Sequence, residues 1–377
     1  MQVSKVYYTD FRTKAFGEGL PSKLKRLAKK AGIDRIDMDG KLVAIKMHFG
    51  ELGNISYLRP NYAKAVADLV RELGGSPFLT DCNTMYPGSR KNAIEHLYCA
   101  WENGFTPLTV GCPVIIGDGL KGTDDIAVPV EGCDYTQQAL IGRAVMDADV
   151  FISLTHFKGH EQTGFGGTLK NIGMGCGSRA GKKDMHSAGK PQIRSELCRG
   201  CRRCERECAN NGLRFDPGSG RMTVDLDSCV GCGRCLGACN YNAIYFADRR
   251  AVSVLGAKIA EYTKAVVDGR PCFHISLIVD VSPYCDCHPE NDAPILPNIG
   301  MLASSDPVAL DQACVDLCLK AEPLHDSVLG DHLKQPGFKD LHDHFLNTTP
   351  DSVWETQLSQ GQKIGIGSRK YKLITVK

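Results

Sequence analysis

Two short runs of cysteine constrain this chain more than any other feature of its sequence. The first run contains Cys198, Cys201, Cys204 and Cys208, and the second contains Cys229, Cys232, Cys235 and Cys239. Both have the spacing C-x2-C-x2-C-x3-C, in which three thiolates surround one face of a cubane iron–sulfur cluster and the fourth is directed to another cluster. The spacing therefore predicts two [4Fe–4S] clusters with crossed sets of ligands.

The crossed arrangement assigns each cysteine to one cluster. Cluster one is expected to use Cys198, Cys201, Cys204 and Cys239, and cluster two Cys229, Cys232, Cys235 and Cys208. A pair of zinc knuckles is the alternative, but zinc sites usually take their ligands as two separated pairs. Two identical runs of four cysteines favour the clusters.

The two runs resemble those of bacterial dicluster ferredoxins. In that family a proline usually follows the fourth cysteine, whereas Ala209 and Asn240 stand there in this chain. Proline is not a ligand, so the departure concerns loop geometry rather than cluster binding. The resemblance implies a small α+β ferredoxin-like domain. Four arginines around the first run either dock an acidic electron donor or form a solvated charged face; they are Arg199, Arg202, Arg203 and Arg206.

The composition limits the remaining classes of function. The chain has 377 residues, 18 cysteines and a formal net charge of +2. That charge gives no reason to expect nucleic acid or an anionic membrane as a partner. No apolar stretch is long enough to span a membrane, and the N-terminus lacks the apolar core of a secretory signal. We therefore expect a cytoplasmic protein with reduced thiols, in a reducing, anaerobic cell.

Apolar runs alternate with helical patterns on both sides of the cysteine runs. This alternation predicts an α/β fold with a mostly parallel sheet flanked by helices. The strands expected before the runs are Val3–Tyr8, Leu42–Met47, Pro77–Thr80, Val114–Ile116 and Val150–Leu154. The helices expected there are Leu20–Ala31, Asn61–Leu73, Arg90–Asn103 and Thr136–Asp147.

The same pattern resumes after the cysteine runs. It predicts helices at Ser253–Asp268 and Asp306–Leu319, the latter capped by Asp306, and strands at Phe273–Val281 and Ile299–Ala303. We therefore interpret residues 1–191 and 249–377 as two parts of one α/β domain. Residues 192–248 form a dicluster ferredoxin-like insert within it.

Reactive residues follow four of the expected strands. Because ligands collect at the carboxyl ends of strands in open α/β sheets, these residues are candidates for a second site. They are Lys46, His48 and Glu51; Asp81, Cys82 and Asn83; His156, Lys158 and His160; and Tyr284, Cys285, Asp286, Cys287 and His288. A lone histidine such as His48 is more often a hydrogen-bonded structural residue.

The loop at Cys285 is the most distinctive of these groups. Cys285, Cys287 and a histidine lie within four residues, which suits a soft or borderline metal. His186 and Cys176 could complete a third site that holds a metal ion or another cluster. A redox dithiol is the competing interpretation, although C-x-C is less usual for it than C-x-x-C. We expect most other cysteines to be small core residues; they are Cys99, Cys112, Cys133, Cys272, Cys314 and Cys318.

The whole pattern resembles the uncharacterised Fe–S centre proteins built on domain of unknown function 362. The matching segments are KMHFGE (46–51), residues 147–176, SRAGKKDMHS (178–187) and SSDPVALD (304–311). A more distant resemblance links His160, the pair Gly164-Phe165 and Lys170 to the motif of nickel-pincer lactate racemases. It implies that Lys170 anchors a cofactor, that His160 is a base or ligand, and that His186 has the position of a nickel ligand.

These observations favour an iron–sulfur oxidoreductase. Electrons would enter from an unidentified donor or acceptor protein and reach a metal or small anionic substrate in the α/β domain. Lys46, Lys158 and Lys170 would bind the anion, while His48, His160 or His156 supplies protons. The alternatives are an electron-transfer or cluster-delivery module for a separate enzyme, and a racemase-like enzyme with a lysine-anchored metal cofactor. A dinucleotide fingerprint is not evident.

Overall fold

A computed structural model describes residues 3–377 except 87, 232–233, 240, 242 and 246–248. The strands in these residues are β1 (Ser4–Asp10), β2 (Leu42–Lys46), β3 (Ser76–Asp81), β4 (Val114–Ile116), β5 (Asp125–Pro129), β6 (Gln138–Gly142), β7 (Val150–His156), β8 (Lys158–His160), β9 (Gly164–Gly166), β10 (Gln192–Ile193), β11 (Leu213–Asp216), β12 (Arg221–Val224), β13 (Ile244–Tyr245), β14 (Cys272–Ile278), β15 (Gly300–Ser304) and β16 (Tyr371–Thr375). The α-helices are α1 (Leu20–Ala31), α2 (Pro60–Glu72), α3 (Ala93–Glu102), α4 (Pro107–Val110), α5 (Arg143–Asp147), α6 (Thr168–Cys176), α7 (Arg179–Met185), α8 (Arg203–Arg206), α9 (Arg234–Gly237), α10 (Arg249–Val267), α11 (Pro307–Leu319), α12 (Val328–Lys334), α13 (His344–Thr348) and α14 (Glu355–Lys363).

One eight-stranded sheet organises the α/β part, with the strand order β16-β1-β15-β14-β7-β2-β3-β4. Strands β4, β3, β2, β7 and β14 are parallel to one another. Strand β15 is antiparallel to both of its neighbours, and β16 is parallel to β1. The predicted mostly parallel sheet is therefore confirmed, with β15 as the reversed strand.

Helices cover both faces of this sheet, so the central strands are apolar on both sides. In β2, Val43 and Ile45 pack into one core with α1 and α2, while Ala44 between them packs into the other. Every residue of β7 is buried, as expected for an inner strand of a parallel sheet. The result is a three-layer arrangement of helices, sheet and helices.

Most predicted elements lie where the sequence placed them, but the helix at Thr136–Asp147 was wrong. The first part of that segment is strand β6, which pairs with β5 as an antiparallel ribbon, and only Arg143–Asp147 is helical. Ala139 and Ile141 are buried, whereas Gln138 and Leu140 are more exposed. The apolar residues of this segment therefore follow the two-residue period of a strand, and the spacing that had indicated a helix was misleading.

The segment that contains the cysteine runs has its own small strands, and we call residues 192–245 the cysteine-rich segment. In it β10 pairs with β13, and β11 pairs with β12. Leu213, Met222 and Ile244 form a small core together with Cys198 and Cys204. The bounds of the inserted domain at 192 and 248 stay a prediction, and residue 248 lies outside the described residues. Within the part that is described, every helix is too short or too polar to cross a bilayer.

Candidate functional site

A cavity lies at the carboxyl ends of the neighbouring strands β2, β3, β7 and β14. All four groups of residues that follow these strands contribute side chains to its wall, as the strand-end rule predicts. The contributors with reactive side chains are Lys46, His48, Asp81, Cys82, Arg90, Lys158, His160, Lys170, Lys182, His186, Cys285 and Cys287. We call this space the central cavity.

Lys46 is the cation at the end of β2, and it is almost completely buried. Its Nζ atom lies 3.1 Å from Asp81 Oδ1 and donates a hydrogen bond of 2.8 Å to Asn171 Oδ1. Asn171 is on α6, where Gly175 approaches Lys46 so closely that an added Cβ would lie 2.4 Å from Nζ. Burial alone would raise the pKa of Asp81. The nearby cations, of which Lys46 has the largest effect, outweigh burial and hold this pKa below its usual value. Lys46 and Asp81 thus form a buried ion pair.

Two further cations of the wall are also paired with buried carboxylates. Lys158 Nζ lies 3.0 Å from Asp286 Oδ2, and Arg90 Nε donates to Glu51 Oε2 at 3.1 Å. Burial alone would raise the pKa of both carboxyl groups, but the adjacent cations outweigh it and lower both values. These pairs fix the wall of the cavity while adding little net charge.

Lys170 differs from these cations because its partner is a sulfur atom. Its Nζ atom lies 3.2 Å from Cys285 Sγ. Interaction with the thiol of Cys285, opposed by burial and assisted by the charge of Lys170, lowers the pKa of Cys287 to about 7. The same interaction, together with burial, raises the pKa of Cys285 well above its usual value. The thiolate is therefore favoured at Cys287, next to a buried ammonium group.

Two of the histidines in the wall have fixed ring orientations. His48 Nδ1 accepts the Gly50 N–H at 2.9 Å, and His160 Nδ1 accepts the N–H groups of Gln162 and Thr163, both at 3.1 Å. Burial lowers the pKa of both rings well below the usual value. A neutral ring that accepts at Nδ1 carries its proton on Nε2. Both histidines are therefore neutral donors at Nε2.

His186 is a third histidine in the wall, and Glu161 lies close to His160. Burial, assisted by the charge of Lys170, lowers the pKa of His186 to about 4, and its Nδ1 atom has no hydrogen-bond partner in the described residues. Glu161 Oε1 lies 3.4 Å from His160 Nε2 and 3.3 Å from His288 Nε2. Burial opposes protonation of His288, but Glu161 outweighs it and raises the pKa of His288 to about 10.

Seven of the predicted site residues are outside the wall, namely Glu51, Asn83, His156, Cys176, Tyr284, Asp286 and His288. His156 lies behind it, where Nδ1 contacts Asp286 at 2.9 Å and Nε2 contacts the Val279 carbonyl at 2.7 Å. Cys176 lies in the apolar core, and Cys82 Sγ donates to its carbonyl at 3.4 Å. The structure therefore groups His186 with Cys285 and Cys287 along the wall but does not bring Cys176 to them.

Two smaller cavities lie within the cysteine-rich segment, and cysteines of both runs line each of them. The first is lined by Cys198, Cys201, Cys204 and Cys239. The second is lined by Cys208, Cys229 and Cys235. Each group includes the fourth cysteine of the other run, which is the grouping that crossed ligation requires. The remaining predicted ligand, Cys232, lies outside the described residues.

Among the described side chains, no group of three or more His, Cys, Asp or Glu residues is arranged to hold a metal ion. A single zinc ion requires ligands about 2.0–2.3 Å from one point. The thiolates around a cubane cluster lie farther apart, because each of them binds a different iron atom.

The cysteine-rich segment contacts the wall of the central cavity directly. Arg234, from the second run, donates from Nη1 to the Cys287 carbonyl at 2.9 Å, and its guanidinium lies 4.6 Å from the ring centre of Tyr86. Gly231, in the same run, has φ +74°, and an added Cβ would lie 2.6 Å from the His186 carbonyl oxygen. The second run therefore touches both the Cys285 loop and the His186 segment.

Several residues of this site were missed by the sequence interpretation. The sequence pattern places Arg90 at the start of a helix. It gives no reason to single out Glu161 or Asn171, which directly follow His160 and Lys170 in the sequence. Arg234 is one of many arginines near the cysteines, and nothing in the sequence distinguishes it. The DUF362 resemblance contained a usable signal, because the segments 46–51, 147–176 and 178–187 all contribute to the wall.

Comparison with known proteins identifies the family. Residues 43–316, which are more than half of the chain, match the family described as "Domain of unknown function (DUF362)". The chain belongs to this family.

Individual relatives are distant. A thylakoid-associated protein of Synechocystis sp. is 32% identical over 121 residues, which cover 31% of this chain and 32% of that protein. The chain thus spans about a third of that relative's length. The lactate racemase apoprotein of Thermoanaerobacterium thermosaccharolyticum has a TM-score of 0.45 and 13% identity, with 99% of this chain and 83% of that chain covered. A Thermotoga maritima protein gives a TM-score of 0.35 and 11% identity over 68% of this chain and 49% of its own.

Proposed function

We propose that this protein is an iron–sulfur oxidoreductase that binds two [4Fe–4S] clusters in the cysteine-rich segment and passes electrons to the central cavity. The observation that carries the proposal is the grouping of the cysteines into two cavities, each lined by cysteines of both runs. A bound [4Fe–4S] cluster would accept and release one electron at a time.

The residues around the first cysteine cavity fit a cluster. Its other lining residues are mainly apolar and include Ile193, Met222 and Ile244. The backbone N–H of Met222 points to Cys198 Sγ at 3.4 Å, and in the second cavity the N–H of Gly212 points to Cys208 Sγ at 3.2 Å. Backbone donors of this kind stabilise thiolates and tune the reduction potential of a cluster. Both the cysteines and the residues around them support the assignment of these cavities as [4Fe–4S] cluster sites.

The contact between the second run and the Cys285 loop supports electron delivery to the central cavity. Arg234 lines the second cysteine cavity and donates to the Cys287 carbonyl, while Gly231 packs against the backbone of His186. Cys287 and His186 both line the central cavity. The two regions are thus in direct contact, as a route for electrons between them would require.

The charges of the central cavity favour a small anionic substrate. Lys46 and Lys158 are neutralised by carboxylates, whereas Lys170 contacts a thiol and Lys182 donates to the Gly177 carbonyl at 2.5 Å. Two ammonium groups in a buried space attract an anion, and neutral His48 and His160 add donors.

Metal analysis of the anaerobically purified protein tests cluster binding. We expect about eight iron atoms per chain and the absorption and EPR signals of two reducible clusters. Cys204→Ser and Cys239→Ser should each abolish one of these signals, and Cys235→Ser and Cys208→Ser the other. Cys133→Ser, remote from both runs, is the matched control and should retain all of the iron. Zinc in place of iron, or loss of the same signal in all four variants, would refute the crossed assignment.

A second experiment tests the anion site. At constant ionic strength, acetate or formate should raise the Tm of the wild-type protein because either anion binds the folded cavity. Lys170→Gln should reduce that increase, whereas Lys64→Gln, on the exposed face of α2, should leave it unchanged. An equal increase in all three proteins would show that the anions act elsewhere and would contradict the site.

The metal content, together with the anion experiment, also distinguishes the proposed oxidoreductase from the two alternative functions. Eight iron atoms without any anion effect would favour an electron-transfer or cluster-delivery module. Nickel that is lost in Lys170→Gln would favour the racemase-like enzyme, for which His160, Lys170 and His186 share the wall of one cavity.

A further inference from the structure

We infer that Cys285 and Cys287 are a redox-active dithiol, which collects two electrons from the cysteine-rich segment and transfers them as a pair to the substrate of the central cavity. The inference rests on the proposed function, because the clusters would supply the electrons. It assigns to these two cysteines a role in covalent redox chemistry, in place of the metal site that the sequence had suggested.

The arrangement of the two thiols is the first argument. Cys285 and Cys287 occupy a turn that is closed by a 3.0 Å hydrogen bond from the His288 N–H to the Cys285 carbonyl. Within this turn the two thiols are near enough for each to influence the protonation of the other. Both residues line the central cavity, so both belong to the wall of the space that a substrate would occupy.

The charge beside the sulfur atoms is the second argument. Lys170 Nζ lies 3.2 Å from Cys285 Sγ, and the wall of the cavity also carries Lys158 and Lys182. A divalent metal ion bound to the two sulfurs would be repelled by the ammonium group of Lys170. The same ammonium group stabilises a thiolate, which is the form of cysteine that attacks disulfides and electrophiles. The surroundings therefore favour redox chemistry over metal binding.

The connection to the cysteine runs is the third argument. Arg234, between two cysteines of the second run, donates to the carbonyl of Cys287 itself at 2.9 Å. A cluster transfers one electron at a time, whereas reduction of a disulfide takes two electrons. Two reduced clusters would therefore supply the electrons for one disulfide. The pairing of one-electron carriers with a dithiol gives the protein a means of two-electron chemistry without flavin.

A low-potential one-electron donor supplies two electrons in succession through the cysteine-rich segment, and with two protons these break the Sγ–Sγ bond and give two thiols. The substrate, a small anionic two-electron acceptor, then takes two electrons and two protons from the thiols, and the Sγ–Sγ bond forms again. Lys170 is a positioning residue that contacts the sulfur of Cys285 and favours the thiolate of Cys287.

Thiol trapping under controlled potential tests the inference. The anaerobic holoprotein is equilibrated with glutathione redox buffers, quenched with N-ethylmaleimide under denaturing conditions, and analysed by mass spectrometry. We expect the peptide that contains Cys285 and Cys287 to lose both alkylation sites together in a single two-electron transition. Cys314 and Cys318, which are fully buried on α11, are the internal control and should stay alkylated throughout. Independent titration of Cys285 and Cys287, or no transition, would overturn the inference.

Reductive titration provides the second readout. Starting from the oxidised protein, the wild type should take up about two more electrons per chain than Cys285→Ser. Lys170→Gln should slow alkylation of the native dithiol about tenfold while the number of electrons stays the same. Equal electron uptake by wild type and Cys285→Ser would refute the dithiol.

The two proposals fail in different ways. Full iron content with an inert Cys285–Cys287 pair would refute the dithiol alone. Absence of iron, with a normal dithiol transition in glutathione buffer, would refute the clusters alone. Loss of a bound metal ion in Cys285→Ser, without disulfide formation in the wild type, would restore the metal site and overturn the inference.

Discussion

The guanidinium of Arg234 donates to the backbone carbonyl of Cys287 across the boundary between the cysteine-rich segment and the central cavity, at 2.9 Å. Arg234 is 6% exposed, and its Nε atom also donates to Glu207 at 2.7 Å. A buried arginine that joins two regions holds them in a fixed orientation, because its planar donors restrict the geometry.

Replacing Arg234 with alanine should loosen the Cys285 loop. The variant loses a charge-assisted bond to the Cys287 carbonyl and a bond to Glu207, which together contribute about 2 kcal/mol to stability. Amide hydrogen exchange of residues 284–288 should become faster. Arg214→Ala removes an exposed ion pair with Asp225 in the same segment and should cost less than about 1 kcal/mol. Unchanged exchange in the Cys285 loop of Arg234→Ala would disprove the coupling.

Gly231→Ala should destabilise the second cysteine run. The residue has φ +74°, and an added Cβ would lie 2.1 Å from the Gly189 carbonyl oxygen. Alanine therefore combines backbone strain of about 1 kcal/mol with a steric clash. Gly220, with φ +66° and nothing within 4 Å of its Cβ position, is the matched control for strain alone. In thermal unfolding, Gly231→Ala should lower the free energy of unfolding at least twice as much as Gly220→Ala does. Equal decreases for the two variants would rule out the clash.

The buried His274 should make the protein sensitive to acid. Burial lowers the pKa of this ring to about 3, whereas the unfolded chain has the ordinary value of about 6.5. Between these values the unfolded state binds more protons, so stability falls as the pH decreases from about 6.5 towards 3, by about 1.4 kcal/mol per pH unit for this group.

The matched comparison is His274→Asn, which keeps a polar atom facing Ser153 Oγ, 2.9 Å from the ring nitrogen in the wild type. Denaturant unfolding at several pH values should give a shallower acid slope for this variant, by about one proton. Other groups contribute equally to the slopes of both proteins and cancel; one of them is His96, whose pKa burial also lowers to about 3. Parallel slopes would show that His274 can be protonated in the folded state.

Asp306→Ala should cost more than the loss of an ordinary helix cap. Asp306 caps α11 by accepting the Ala309 N–H at 2.8 Å, and it also accepts from Ser4 Oγ at 2.6 Å and the Ser368 N–H at 2.8 Å. It therefore ties both ends of the chain to one helix. We expect a loss of about 2–3 kcal/mol in the free energy of unfolding, measured with denaturant.

Ser327→Ala provides the reference for a cap without such links. Ser327 caps α12 by accepting the Gly330 N–H at 3.1 Å, and its loss should cost about 1 kcal/mol. If Asp306→Ala costs no more than this, the contacts to Ser4 and Ser368 add nothing to stability.

The sequence predicted this cap and the parallel strands because both depend on local patterns. Asp306 precedes a proline at the first helical turn, and strand β7 is a continuous apolar run. The meeting of Lys46, Asp81, Lys158 and Cys285 in one cavity was also predictable, since the carboxyl ends of parallel strands share one edge of the sheet.

Helix α6 was missed because its sequence is a poor helix former on its own. It contains Gly173 and Gly175, each of which costs about 1 kcal/mol relative to alanine. An added Cβ on Gly173 would lie 2.1 Å from the Ile259 carbonyl oxygen of α10, so glycine is required for the helices to pack. Arg90 and Arg234 were missed for a similar reason, because their importance arises from partners far away in the sequence.

Strands β10 and β13 place the beginning and end of the cysteine-rich segment side by side, with Gln192 opposite Tyr245. For the surrounding α/β fold, the segment therefore has the geometry of a loop whose two ends are already joined. Closing a loop whose ends are already paired costs the α/β fold little entropy, however many residues the loop contains. The segment therefore joins the surrounding α/β fold at a single junction, where an exchange of the whole segment would leave the eight-stranded sheet intact.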